Sequence, residues 1–112
     1  MTYREIQNII DEFGYPSAYY QFQDGTGTQP PFICWLVTGD NDFMADDINY
    51  QAIRPLIIEF YTDAKDFAGE DAIEAKLTEL GISYAKEETY IDTERMHETI
   101  YTMEVVINAE QD

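Results

Sequence analysis

Few residues in this chain carry reactive chemistry, so each one can be weighed. His97 is the single histidine. It falls where a hairpin tip is predicted, beside Glu98 and near Glu94. A histidine that acts as a base needs a supported pocket and a partner that fixes its ring, and a hairpin tip supplies neither. An exposed turn residue is the reading it favours. Cys34 is the single cysteine, so no disulfide can close within the chain, which fits a reducing compartment. It lies in the apolar run Phe32-Ile33-Cys34-Trp35-Leu36-Val37, where a small buried side chain is the expected role and a reactive thiol the alternative. Asp40-Asn41-Asp42 opens like a calcium loop. The pattern then fails, because the positions that need glycine and a bidentate glutamate hold Ala45 and Gln51. Gly25-Thr26-Gly27 lacks the helix and lysine of a phosphate cradle. Adjacent carboxylates such as Glu70-Asp71 and Glu87-Glu88 are expected by chance in so acidic a chain, and nothing marks a cleft that would separate their pKa values. No catalytic site, metal or cofactor is therefore expected.

The charge is one-sided. Against 23 acids stand 6 bases, for a formal net charge of -17. Such a surface repels the phosphate backbone, so tight nucleic-acid binding is not expected. Two explanations of the charge stay open: solubility, and an acidic wall past which DNA slides without sticking. The 9 tyrosines also admit two readings, core packing and protein contact.

The elements that must hold these residues follow from periodicity. Thr2 and Glu5 form a capping box ahead of Ile6, Ile9, Ile10 and Phe13 at helical spacing, and Gly14 with Pro16 ends the helix. Strands are predicted over 18–23, 32–38 and about 50–62, the last interrupted by Pro55, which cannot donate to a ladder and so demands an edge or a bulge. A second helix runs from Asp66 to Leu80, with Ile73, Leu77 and Leu80 on one face. Gly69 weakens its first turn, and Gly81-Ile82 forms a Schellman ending. A long hairpin closes the chain: 82–91 out, 92–97 as the tip, 98–108 back, and then a frayed polar tail over 109–112. The sum is one α+β domain over 1–112, a mostly antiparallel sheet of about five strands with two helices on one face. No signal peptide or membrane-crossing stretch is apparent.

Three passages, Pro31-Phe32-Ile33-Cys34-Trp35-Leu36, Tyr50-Gln51-Ala52-Ile53-Arg54-Pro55-Leu56-Ile57-Ile58-Glu59-Phe60-Tyr61-Thr62 and Tyr90-Ile91-Asp92-Thr93-Glu94-Arg95-Met96-His97-Glu98-Thr99-Ile100-Tyr101, together with the order of elements, resemble the small tail-completion and head–tail joining proteins of long-tailed bacteriophages. The tail terminators are the nearest in pattern. The resemblance implies an α+β subunit of a homo-oligomeric ring, hexameric in the terminators, that caps the tail tube and meets the head connector. DNA would pass through its middle without being held. It further implies assembly in the host cytoplasm, then residence in the virion. It carries no catalytic signature, and head-closure proteins of similar size fit the same pattern. An acidic inhibitor or DNA mimic that occupies a basic protein's nucleic-acid site is the alternative from another class. The residues expected to meet a lumen or a partner are Asp40, Asp42, Asp46 and Asp47 in the acidic loop, and Asp92, Glu94, Arg95 and His97 in the hairpin tip.

Overall fold

The computed structural model describes residues 1–21, 29–39 and 52–108. Along the chain run α1 (Tyr3–Asp11), β1 (Ser17–Tyr19), β2 (Phe32–Val37), β3 (Ala52–Thr62), α2 (Phe67–Glu79), β4 (Tyr84–Ile91) and β5 (Met96–Ile107). The strands form one sheet in the order β1-β2-β3-β5-β4. Only β1 and β2 run parallel; the other pairs are antiparallel. The chain is thus an α+β domain.

Local chemistry sets the helix ends. The Thr2 hydroxyl accepts from the Glu5 amide at 3.1 Å, and the Glu5 carboxylate accepts from the Thr2 amide at 2.7 Å. Two donors that the first turn leaves without helical partners are thereby satisfied. Thr2→Ala is expected to lower stability by about 1 kcal/mol, read as a shift of the urea midpoint at unchanged slope. At the far end of α2 the Ile82 amide donates to Leu77 at 2.9 Å and the Gly81 amide to Thr78 at 3.0 Å. With Gly81 at φ 74°, this is the Schellman ending expected from the sequence. Leu80 departs from expectation: as the C-cap it leaves the helical stripe and is 39% exposed.

Strand alternation divides the sheet into two unlike faces. On the first, Ile33 and Trp35 of β2, Leu56, Ile58 and Phe60 of β3, and Tyr101, Met103, Val105 and Ile107 of β5 are buried in one cluster with Ile6 and Ile10 of α1 and Ile73 and Leu77 of α2. The Trp35 indole donates to Gln7 of α1 at 2.9 Å, and the Tyr101 hydroxyl donates to Glu74 of α2 at 2.7 Å. The second face carries Leu36, Ile57, Thr102 and Ala85 in one row, and Cys34, Glu59, Ile100 and Glu87 in the next.

One strand bound is amended, and the choice at Pro55 between an edge and a bulge falls on the edge. The first strand stops at Tyr19, not residue 23, because Tyr20 turns into the left-handed region at φ 73°, which no strand continues. At Pro55 the ladder with β5 stays in register with no bulge. The proline is tolerated because β2 ends beside it: Val37 pairs with Leu56, and the Thr38 amide then donates to the Pro55 carbonyl at 3.0 Å. Its missing N–H lies on that side, where β3 becomes an edge.

Candidate interaction surfaces

The acidic-loop candidates Asp40, Asp42, Asp46 and Asp47, and with them the calcium-like start, lie outside the described residues. The hairpin candidates are described, and they separate. Asp92, Glu94 and Arg95 are exposed in the turn. The Glu94 amide donates to Ile91 at 3.1 Å and the Arg95 amide to Asp92 at 3.3 Å, with Arg95 at φ 54°. This turn closes the hairpin at Ile91 opposite Met96. His97 is consequently a strand residue and not part of the tip. It lies between Tyr90 and Thr62, half-buried, with its ring edge-on to Tyr90 at 4.9 Å between centroids. Glu98, its neighbour in sequence, points to the opposite face of the sheet, so no His–Glu pair forms there. Cys34 is buried, as its apolar run suggested.

A charged network joins α2 to the edge of the sheet. Glu70 is only 3% exposed. It lies 2.8 Å from the Lys65 ammonium and 2.9 Å from that of Lys86. Lys86 also meets Glu74 at 2.7 Å, and Lys65 meets Glu88. Burial alone would raise the Glu70 pKa, yet hydrogen bonds from Lys65 and Lys86 overcome it and hold the carboxyl below its ordinary range. The Lys86 bond also lowers Glu74. The Tyr101 hydroxyl is pushed up, first by burial and then by the Glu74 carboxylate it serves. Every charge here has its partner within the network, which makes it a fastening between helix and sheet.

The second sheet face is unlike this. The Tyr61 hydroxyl lies 2.9 Å from Glu98 and 3.2 Å from Glu59, and its ring stacks on Phe32 at 4.8 Å. One hydroxyl carries one proton, so it can donate to only one of the two carboxylates at a time. The Glu59 pKa is raised, first by desolvation and then by the nearby charge of Glu98. Around this triad lie half-buried Ile57 and Ile100, exposed Glu87 and Glu104, and Ile53 and Val106, exposed by 57% and 38%. The strand residues of this face, in their described registers, include no lysine, arginine or histidine. Sequence reading missed the triad, although alternation along β3 already places Glu59 and Tyr61 on one side. What it lacks is the register that brings Glu98 opposite Tyr61.

Exposed aromatics stand at both ends of the strand order, and Tyr3 of α1 is exposed as well. Tyr19 and Tyr20, 49% and 62% exposed, belong to β1 and the residue after it. At the other edge β4 carries Tyr90, 50% exposed. Phe67, 68% exposed, begins α2 with its ring 5.2 Å from the Lys65 ammonium, which pairs in turn with Glu88 of β4. An open groove lined by Pro55, 81–85 and 102–104 sits at the start of β4, and among the described residues Glu104 is the only carboxylate on its wall. Among the described residues no group of three or more His, Cys, Asp or Glu side chains is placed to hold a metal ion, and no helix is long and apolar enough to cross a membrane. No family model, curated protein or solved structure matches the chain.

Proposed function

We propose that this chain is a structural protein of a long-tailed phage virion, acting as a homo-oligomeric ring that caps the tail tube and joins tail to head. The observation that carries the reading is the placement of exposed aromatics at opposite edges of the sheet, Tyr19 and Tyr20 beside β1, Phe67 and Tyr90 beside β4. A closed ring needs a head-to-tail interface built from two different patches on each subunit, and tyrosine and phenylalanine are enriched in such contacts. The α+β fold and the resemblance set out above support the same assignment. On this reading the partners are further copies of the chain, the tail tube and the head connector, with DNA only in passage. The site of action is the host cytoplasm during assembly and the virion thereafter.

A net charge of -17 on each subunit opposes self-association and is screened by salt. Sedimentation velocity is therefore expected to show the ring growing at the expense of monomer as ionic strength rises. Tyr20→Ser with Phe67→Ser should leave a folded monomer at every salt concentration. A wild-type protein that stays monomeric throughout and fails to cap purified tail tubes would count decisively against the ring. The second reading, an acidic inhibitor of a basic protein, is favoured by the second sheet face, where the charged side chains among the described strand residues are all carboxylates.

A further inference from the structure

We infer that the second face of the sheet, centred on Ile57, Ile100 and the Glu59–Tyr61–Glu98 triad, docks a segment of another protein in which basic and apolar side chains are interleaved. The inference does not depend on ring assembly, since a monomer carries the same face.

Three observations argue for it. The first is composition. Ile100 lies in register between Glu59 on one side and Glu87 on the other, while Ile57 sits in the adjacent row. Apolar surface and negative charge alternate within reach of one peptide segment. Ile53 and Val106, opposite each other in register, extend the apolar strip to the end of the sheet, and both are exposed. The second is charge. Glu59 and Glu98 face one another across a single shared hydroxyl. A cation placed between them would add to the single proton that Tyr61 supplies, and the described strand residues of this face include no lysine, arginine or histidine to do so. Complementary charge of this kind steers encounter and fixes register.

The third observation identifies the occupant as something other than a second copy. Lys65, Lys76 and Lys86 are already engaged with carboxylates of their own chain, and Arg54 donates to the Gly39 carbonyl at 2.6 Å. The 6 bases stand at least nine positions apart, so a second copy, although its Arg4 and Arg95 are exposed, offers this face no segment that interleaves several of them with apolar side chains. A different protein with a basic and apolar segment does.

The test uses the full chain and a short amphipathic Leu/Lys peptide as probe, with a Leu/Glu peptide of the same pattern and a Ser/Lys peptide of the same charge as controls. Titration calorimetry should find the Leu/Lys peptide binding, more weakly as salt rises. Amide shifts in NMR spectra should fall on β3 and β5 around Ile57 and Ile100. Glu59→Gln with Glu98→Gln should weaken binding about tenfold, in line with the loss of close charge pairs at an interface. Asp71→Asn with Glu79→Gln, which removes exposed charge from α2, should leave the affinity unchanged. Equal weakening by the α2 variant, equally tight binding of the Ser/Lys peptide, or absence of Leu/Lys binding would each overturn the inference. Both variants alter exposed or half-exposed carboxylates, and urea unfolding verifies that each still folds.

Discussion

Lys65→Met together with Lys86→Met is expected to destabilise the protein by about 3–5 kcal/mol at neutral pH, the usual cost of leaving a buried charge without its partners. Methionine keeps most of the apolar stem, so packing changes little and the loss isolates the charge. What remains is Glu70, 3% exposed, with a single long contact from the Thr99 hydroxyl at 3.5 Å. The reverse change should be far milder. Glu70→Gln leaves two lysines whose side chains are 27% and 32% exposed. They can turn to water and keep their bonds to Glu88 and Glu74, so the expected loss is about 1 kcal/mol. Equilibrium urea unfolding of the two variants measures this asymmetry. Equal losses would show that the network acts as a set of surface pairs.

The pH dependence carries a definite sign. The folded pKa values of Glu70 and Glu74 are lowered, so the stability they contribute is complete above the unfolded carboxylate value of about 4.3. It is lost as pH falls through the lower folded values. Lys65 and Lys86 are raised, chiefly by their bonds to Glu70 and to Glu74. Their share is complete below about 10.4 and is lost as pH climbs through the folded values. The gap between wild type and the double methionine variant should thus be widest between roughly pH 5 and 9, and should narrow on either side. Glu59 runs the other way. Its raised pKa means that the folded state binds this proton more tightly than the unfolded chain does. Acid titration at Glu59 therefore favours folding and offsets part of the loss at Glu70.

How much of this could be read from the sequence depended on whether the controlling interaction was local. The capping box at Thr2 and Glu5 and the Schellman ending at Gly81 each follow from neighbours a few positions apart, and each stands in the structure. His97 was misplaced by one turn geometry: Arg95 in the left-handed region tightens the loop, so pairing resumes at Met96. Tyr20 ended a strand early for a similar reason. Alternation along β3 shows only the Glu59–Tyr61 half of the triad; the place of Glu98 and the Glu70 network were not legible, because they join positions far apart in sequence through a register that composition does not reveal. Residues such as Glu70 and Glu87 looked like chance members of an acidic surface. One is nearly inaccessible and doubly paired, while the other lies exposed in a row with Ile100 and Glu59.

Gly69 makes the same point with the opposite sign, and Gly69→Ala tests it. By helix propensity alone the change should stabilise, since alanine is favoured over glycine in a helix by up to about 1 kcal/mol. Packing predicts a loss. A Cβ at this position would lie 2.7 Å from the Tyr15 hydroxyl, 2.8 Å from an Asp66 carboxylate oxygen and 2.8 Å from Cζ of Phe60. Asp66 is the N-cap, accepting from the Gly69 amide at 2.9 Å, so moving it weakens the start of α2. Phe60 is 1% exposed in the middle of β3, with the Tyr15 ring against it at 5.0 Å, and it has nowhere to go. Overpacking of this kind costs about 1–3 kcal/mol, and against a propensity gain of up to about 1 kcal/mol it leaves a net loss of up to about 2 kcal/mol. Gly69→Val, bulkier and β-branched, should lose more. A higher urea midpoint for the alanine variant would mean that Phe60 and the cap yield at little cost. The absence of a side chain would then be the weakness it resembles in the sequence, not the clearance that lets α2 lie against the sheet.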